Sequence, residues 1–216
     1  MSVLSPRRPP RTRGVIGHVV LPQHVEVVRR HGLAVTDPAS TWISLGTLLS
    51  ERDLLAAADH LLLAPRHPDP ADPRPYAALP ELTARLVGYH GRGRKRLESV
   101  LHLVSTASAS RRETWLRSLV READLPRPEV NAEIHDRGRL IAVGDLVFRR
   151  WKVLAEYDGR QHRTSDAQYA RDRERSLALQ LAGWIQVVVR ADGLGKDRAR
   201  TVAEIRAALT AHGWRP

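Results

Sequence analysis

Two apolar runs in the second half of the chain, residues 140–148 and 153–157, are separated only by Arg149-Arg150-Trp151-Lys152. Short valine-rich runs joined this tightly are expected to pair as neighbouring antiparallel strands. Each run nevertheless carries an acid, Asp145 in the first and Glu156 in the second. A connection centred between Arg150 and Trp151 sets these two acids directly opposite one another. Glu156 and Asp158, two apart, leave the same face of their strand. Like charges opposed on a sheet destabilise it by up to ~1 kcal/mol before any desolvation, and the neighbours Val143, Val147, Val153 and Leu154 are apolar. The pair therefore needs a counter-charge, and a hard divalent cation with oxygen ligands is the natural one. The alternative is a sheet edge at which the acids pair with arginines such as Arg160. A slip of one residue would turn Asp145 to the other face.

The surrounding pattern reads α-β-β-β-α-β-α. A helix is expected over 111–123, with Trp115, Leu116 and Leu119 as its apolar stripe. Strands follow over 129–135, 140–148 and 153–157, the first two joined by the turn signal Asp136-Arg137-Gly138-Arg139. An amphipathic helix over 165–182 should stop at Gly183, followed by a strand over 184–189 and a helix over 196–212. Upstream, short strands are expected over 15–21, 25–28 and 33–35. Asp37-Pro38 opens a helix to about residue 49, and Ser50 with Asp53 caps another to residue 63. Six of the 14 prolines fall within 65–80, which reads as a stiff linker, and helices follow over 81–89 and 94–104. The expected organisation is thus a disordered basic arm (1–13), a small α+β module (14–64), a linker (65–80), a helical connector (81–104) and an α/β domain (105–216).

Charge narrows the partner class. The 216 residues carry 35 Lys+Arg against 24 Asp+Glu, a net charge of +11, and Lys95, Lys152 and Lys196 are the only lysines. An arginine-rich chain of this kind favours a polyanion, since each phosphate contact releases condensed counterions; nucleic acid is the default. The absence of cysteine excludes disulfides, thiolate zinc sites, iron–sulfur clusters and thiol nucleophiles. No apolar run has the ~20 residues of a membrane span, and the basic, proline-rich start is a poor secretory signal, so a cytoplasmic location is expected. Gly91-Arg92-Gly93-Arg94-Lys95 lacks the spacing of a phosphate loop, and neither a metalloprotease histidine pair nor a nucleophile elbow occurs.

Three further residues have both a structural and a chemical reading. Ser110-Arg111-Arg112-Glu113 fits a capping box, which alone accounts for Glu113. His162, in the polar run Gly159-Arg160-Gln161-His162-Arg163, is suited to general acid–base work or to phosphate contact, and is also one of ten histidines. Asp172, in Arg171-Asp172-Arg173-Glu174-Arg175, reads as part of a solvated helix face.

Taken together, Ser110 to Leu116, Asp145, Ala155-Glu156-Tyr157-Asp158-Gly159, His162 and Ala182-Gly183-Trp184 resemble the very-short-patch-repair-like branch of the PD-(D/E)XK nuclease superfamily. More narrowly, they resemble actinobacterial proteins with the domain of unknown function 559, which are associated with AbiEi-type antitoxins. The resemblance covers residues 105–216 and extends weakly to the segment 32–42. It implies a restriction-endonuclease-like αβββαβ core, a mixed sheet flanked by helices, beside the small N-terminal α+β module. It further implies Asp145 and Glu156 as ligands of Mg2+ or Mn2+, Asp158 where the superfamily has its lysine, Glu113 as the helix-borne acid and His162 as an auxiliary histidine. Gln186 and Val188 stand where an apolar residue and an arginine are expected. Relatives of this kind usually begin with a winged-helix module. The expected function is metal-dependent cleavage of DNA phosphodiesters, with Arg94, Lys95, Arg96, Arg111, Arg112, Arg160 and Arg163 gripping the backbone. The alternative is a non-catalytic, antitoxin-like DNA-binding regulator that keeps the nuclease fold.

Overall fold

The structure, a computed structural model, describes residues 2–159 and 166–215. The chain divides into two compact units at Val104/Ser105.

The first unit opens with β1 (Ser2–Leu4), which pairs in parallel with β2 (His18–Val20). Residues 2–4, expected in a disordered arm, are thus held in a two-stranded ladder, and Ser5 N–H extends it to the Val20 carbonyl at 2.9 Å. The charge of the arm concealed the short Ser2-Val3-Leu4 strand. β3 (Val27–Arg30) and β4 (Leu33–Thr36) form a hairpin turned by His31 and Gly32, both at positive φ, as a two-residue turn of matching twist requires.

Four helices follow: α1 (Pro38–Leu45), α2 (Glu51–Leu62), α3 (Leu79–Val87) and α4 (Arg94–Leu101). The side chains of Asp37 and Ser50 cap the first two by accepting from Ser40 N–H and Asp53 N–H. All four share one core around Trp42, Leu54, Leu82 and Leu97, and the indole N–H of Trp42 donates to the Leu54 carbonyl at 3.1 Å.

The proline-rich segment 65–80 is therefore no linker between domains. Ala77 is buried in this core, and the N–H groups of Tyr76 and Ala77 both donate to the Leu61 carbonyl. The helices expected to act as a connector likewise complete the first unit.

The second unit is mixed α/β. Its elements are α5 (Arg111–Glu122), β5 (Glu129–Asp136), β6 (Arg139–Phe148), β7 (Val153–Tyr157), α6 (Asp166–Leu181), β8 (Ile185–Val189) and α7 (Arg198–Ala211). The sheet order is β5-β6-β7-β8, with antiparallel pairs except for β7 and β8, which run parallel through the α6 crossover. α5 and α7 cover one face, where Leu116, Leu119, Ile205 and Leu209 pack on Phe148, Val153 and Ala155. α6 covers the other, where Leu179 packs on Ile134, Val147 and Leu154. α6 ends at Gly183 (φ 77): Gly183 N–H donates to the Gln180 carbonyl and Trp184 N–H to that of Leu179, the paired bonds of a Schellman cap. Trp184 then packs against Leu179.

Candidate functional site

The β6–β7 register is the one that faces Asp145 towards Glu156: Leu146 pairs with Ala155, Val147 with Leu154 and Phe148 with Val153. The ladder stops one step short of the acids. Instead of continuing the ladder, Tyr157 N–H donates to Asp145 Oδ2 at 2.7 Å.

On its other side β6 pairs with β5 at Val130–Leu146 and Ala132–Gly144 but skips the step between, where Asn131 faces Asp145 at φ 47. Ala142 packs on the α6 face, whereas Leu146 and Phe148 pack on the opposite one, so β6 changes its inward face across Asp145. Gly144 is needed here, because a Cβ would collide with the Leu154 side chain. Irregular strand geometry of this kind re-aims a side chain out of regular alternation.

Asp145 is half-buried, and burial pushes its carboxyl up to about 7; the carboxylates of Glu113 and Glu156 push in the same direction, against the Tyr157 N–H bond and the Arg175 charge. Its second oxygen, Oδ1, has no hydrogen-bond partner among the described residues.

Glu113 comes from the first turn of α5. Its backbone N–H is capped by Ser110 Oγ at 3.2 Å, while its Oε2 accepts from Ala109 N–H at 2.9 Å and Asn131 Nδ2 at 2.8 Å. The cap and the site position thus coexist in one residue: Asn131, whose left-handed backbone breaks the ladder beside Asp145, also anchors Glu113.

Glu156 is neutralised by an arginine from α6. Arg175 Nη1 donates to Oε2 at 3.0 Å, its Nη2 donates to Oε1, and Nη2 also donates to the Val143 carbonyl at 2.9 Å. Gln186 Nε2 on β8 supplies a further bond to Oε2 at 2.5 Å, and Ser176 Oγ donates to Gln186 Oε1 at 3.2 Å. An arginine does supply the counter-charge, as the sheet-edge alternative required, but it is Arg175. Sequence reasoning missed it because the run 171–175 looked solvated; the usable signal was its spacing of four from Leu179, which places both on one helix face. Arg175 and Gln186 are the two partners of Glu156 that pattern reading did not find.

The remaining candidates separate. Asp158 lies against Arg190 at 3.7 Å, and its backbone N–H donates to the Val189 carbonyl, extending the β7–β8 side of the sheet. Arg111 and Arg112 stack on Trp115 at 4.4 and 4.5 Å, and Arg112 also reaches the Tyr157 ring at 6.0 Å. Arg94, Lys95 and Arg96 belong to the first unit. Arg94 pairs with Glu98 and donates to the Tyr89 carbonyl, and Arg96 donates to the carbonyls of Gly46 and Leu49. Arg160, His162 and Arg163 lie outside the described residues. Among the described residues no group of three His, Asp or Glu side chains is close enough to hold a metal ion together.

Two uncharacterized proteins, one from each of two Mycobacterium tuberculosis strains, are each 25% identical to this chain over 178 residues, 82% of its length. The chain spans 62% of the length of these relatives. No family model matches the chain, and no solved structure matches it. No helix of the described residues is long and apolar enough to cross a membrane.

Proposed function

We propose that the second unit is a metal-dependent endonuclease-like module acting on DNA phosphodiester bonds, built on a restriction-endonuclease-like core. The observation that carries this reading is the placement of Asp145 and Glu156 opposite one another where the β6–β7 ladder ends and the β5–β6 ladder skips a step. The donor set suits a hard cation. Asp145 offers an oxygen without a hydrogen bond, and its raised pKa shows how costly an unneutralised charge is at that point. Glu156 becomes a ligand when Arg175 gives way. Mg2+ or Mn2+ supplies, when bound, polarisation of a phosphoryl oxygen and a water of lowered pKa.

The protein's own residues do the rest. Asp145 and Glu156 hold the cation, Tyr157 N–H fixes the Asp145 carboxylate, and Asn131 keeps Glu113 turned towards the pair. Arg175, once released from Glu156, is a guanidinium able to take a phosphate through two parallel hydrogen bonds. The expected test outcome is that Asp145→Ala abolishes Mg2+- or Mn2+-dependent cleavage of DNA while leaving DNA binding intact. An Asp145→Ala protein that cuts at the full rate overturns the assignment.

A second reading has its own observation. Both oxygens of Glu156 are already satisfied by Arg175 and Gln186, the arrangement of a retired site in a DNA-binding regulator that keeps the nuclease fold. That reading requires salt-sensitive DNA binding with no dependence on divalent cations.

A further inference from the structure

The second unit holds a cavity of about 920 Å³ at the end of β6 and β7 away from Glu156. Trp151 and Arg150 come to it from the β6–β7 connection, Arg206 from α7, Trp214 and Arg215 from the residues after α7, and Asp124 from the turn after α5. Two indoles and three guanidiniums therefore share one space with one lining carboxylate. Both indoles are half-buried and pack against the edge of the core, which fixes each ring and leaves part of it open. The Arg206 guanidinium stands 5.7 Å from the Trp214 ring and donates to the Ala123 carbonyl at 3.1 Å; that of Arg150 stands 5.4 Å from the Trp151 ring.

Several other arginines of this unit, though not all, are matched to acids: Arg149 to Glu129, Arg190 to Asp158, Arg198 to Glu122 and Arg200 to Glu204. Arg150, Arg206 and Arg215 form no ion pair with a carboxylate among the described residues. The lining thus carries three guanidiniums against the single carboxylate of Asp124, an excess of positive charge that attracts an anion.

We propose that this cavity binds a nucleobase together with its phosphate, presented by an unpaired stretch or end of a nucleic acid strand. An indole face stacks on any base, and the guanidinium fork takes the phosphate. A base inside a duplex is already stacked and offers neither face. The site uses none of the carboxylates around Asp145, so it stands or fails separately from the nuclease reading.

The test is fluorescence anisotropy in EDTA with a labelled oligothymidylate and a blunt duplex of equal length. The proteins are the full chain, an Arg150→Glu/Arg215→Glu variant and a charge-matched Arg137→Glu/Arg139→Glu control on the exposed β5–β6 turn. Both altered pairs are exposed and surface charge reversal leaves the core intact, which circular dichroism checks. The wild type is expected to prefer the single strand. The cavity variant should lose about tenfold or more in single-strand affinity, together with that preference, and the control should lose less. Equal losses in the two variants, or a wild type without strand preference, overturn the proposal. Competition by dTMP shows that a free nucleotide suffices; lack of competition, with the cavity variant still defective, assigns the ligand to the strand.

Discussion

Arginine does different work in the two units. In the first, two of the three side chains that looked like a DNA grip bond within the fold: Arg96 holds the carbonyls that end α1 and the turn after it, and Arg94 clamps Glu98 and the Tyr89 carbonyl. In the second, Arg175 neutralises the one acid of the carboxylate pair that stands in a regular strand. The difference is what each guanidinium replaces. In the first unit it replaces water on the carbonyls of Gly46, Leu49 and Tyr89; in the second, as we propose, it holds the place that a cation would take. The same residue type is therefore structural in one unit and, in our reading, a removable counter-charge in the other.

The strongest way to break that comparison is Arg175→Ala. Glu156 and Arg175 are largely buried, their side chains 14% and 29% exposed, so removing the guanidinium leaves an uncompensated carboxylate. A loss of about 2–3 kcal/mol in urea unfolding of the EDTA-treated protein is expected, at or just below the range for breaking a buried pair. Millimolar Mg2+ should restore much of it, because a ligand that binds only the folded state stabilises it. A variant as stable as the wild type would show that Arg175 carries no such burden.

Asp145→Asn gives the next largest effect, and its sign follows from the raised pKa. The folded protein keeps a proton on Asp145 that the unfolded chain releases near its ordinary value of 3.8, so stability is full below that value and falls as the pH rises to about 7. Removing the charge should flatten this fall and leave the variant more stable than the wild type by about 2 kcal/mol at pH 8 in metal-free buffer. Thermal unfolding at pH 5 and pH 8 measures it.

The smallest effect belongs to the first unit. Arg96→Lys keeps the charge but loses the Nη1 group, which alone donates to both carbonyls, and should cost about 1 kcal/mol. DNA affinity should stay within twofold or so of the wild type, because the role is structural. A large loss of DNA binding with unchanged stability would return Arg96 to the role its charge suggested.

What could be read in the chain beforehand was what depends on neighbours in sequence. The α-β-β-β-α-β-α order of the second unit, the β6–β7 register, the Ser110 cap and the stop at Gly183 rest on local chemistry, and the structure has them. The prolines of 65–80 were read as a linker because composition says how stiff a segment is, not whether Leu61 offers its carbonyl to Tyr76 and Ala77. The pairing of residues 2–4 with β2 was hidden by four arginines nearby. Arg175 and Gln186 were missed as partners of Glu156 because those contacts join positions 19 and 30 residues apart. Asn131 carried a visible clue, a polar residue between Val130 and Ala132 in a strand, but its left-handed backbone was not visible.

The central claim is that Asp145 and Glu156 form a cation site that Arg175 closes at rest. Calorimetric titration of Mg2+ and Mn2+ into the wild type, Arg175→Ala and Asp145→Ala/Glu156→Ala tests it directly. The claim requires binding in the wild type, tighter binding in Arg175→Ala and none in the double variant. Binding that survives in the double variant, or fails in both the wild type and Arg175→Ala, would contradict it.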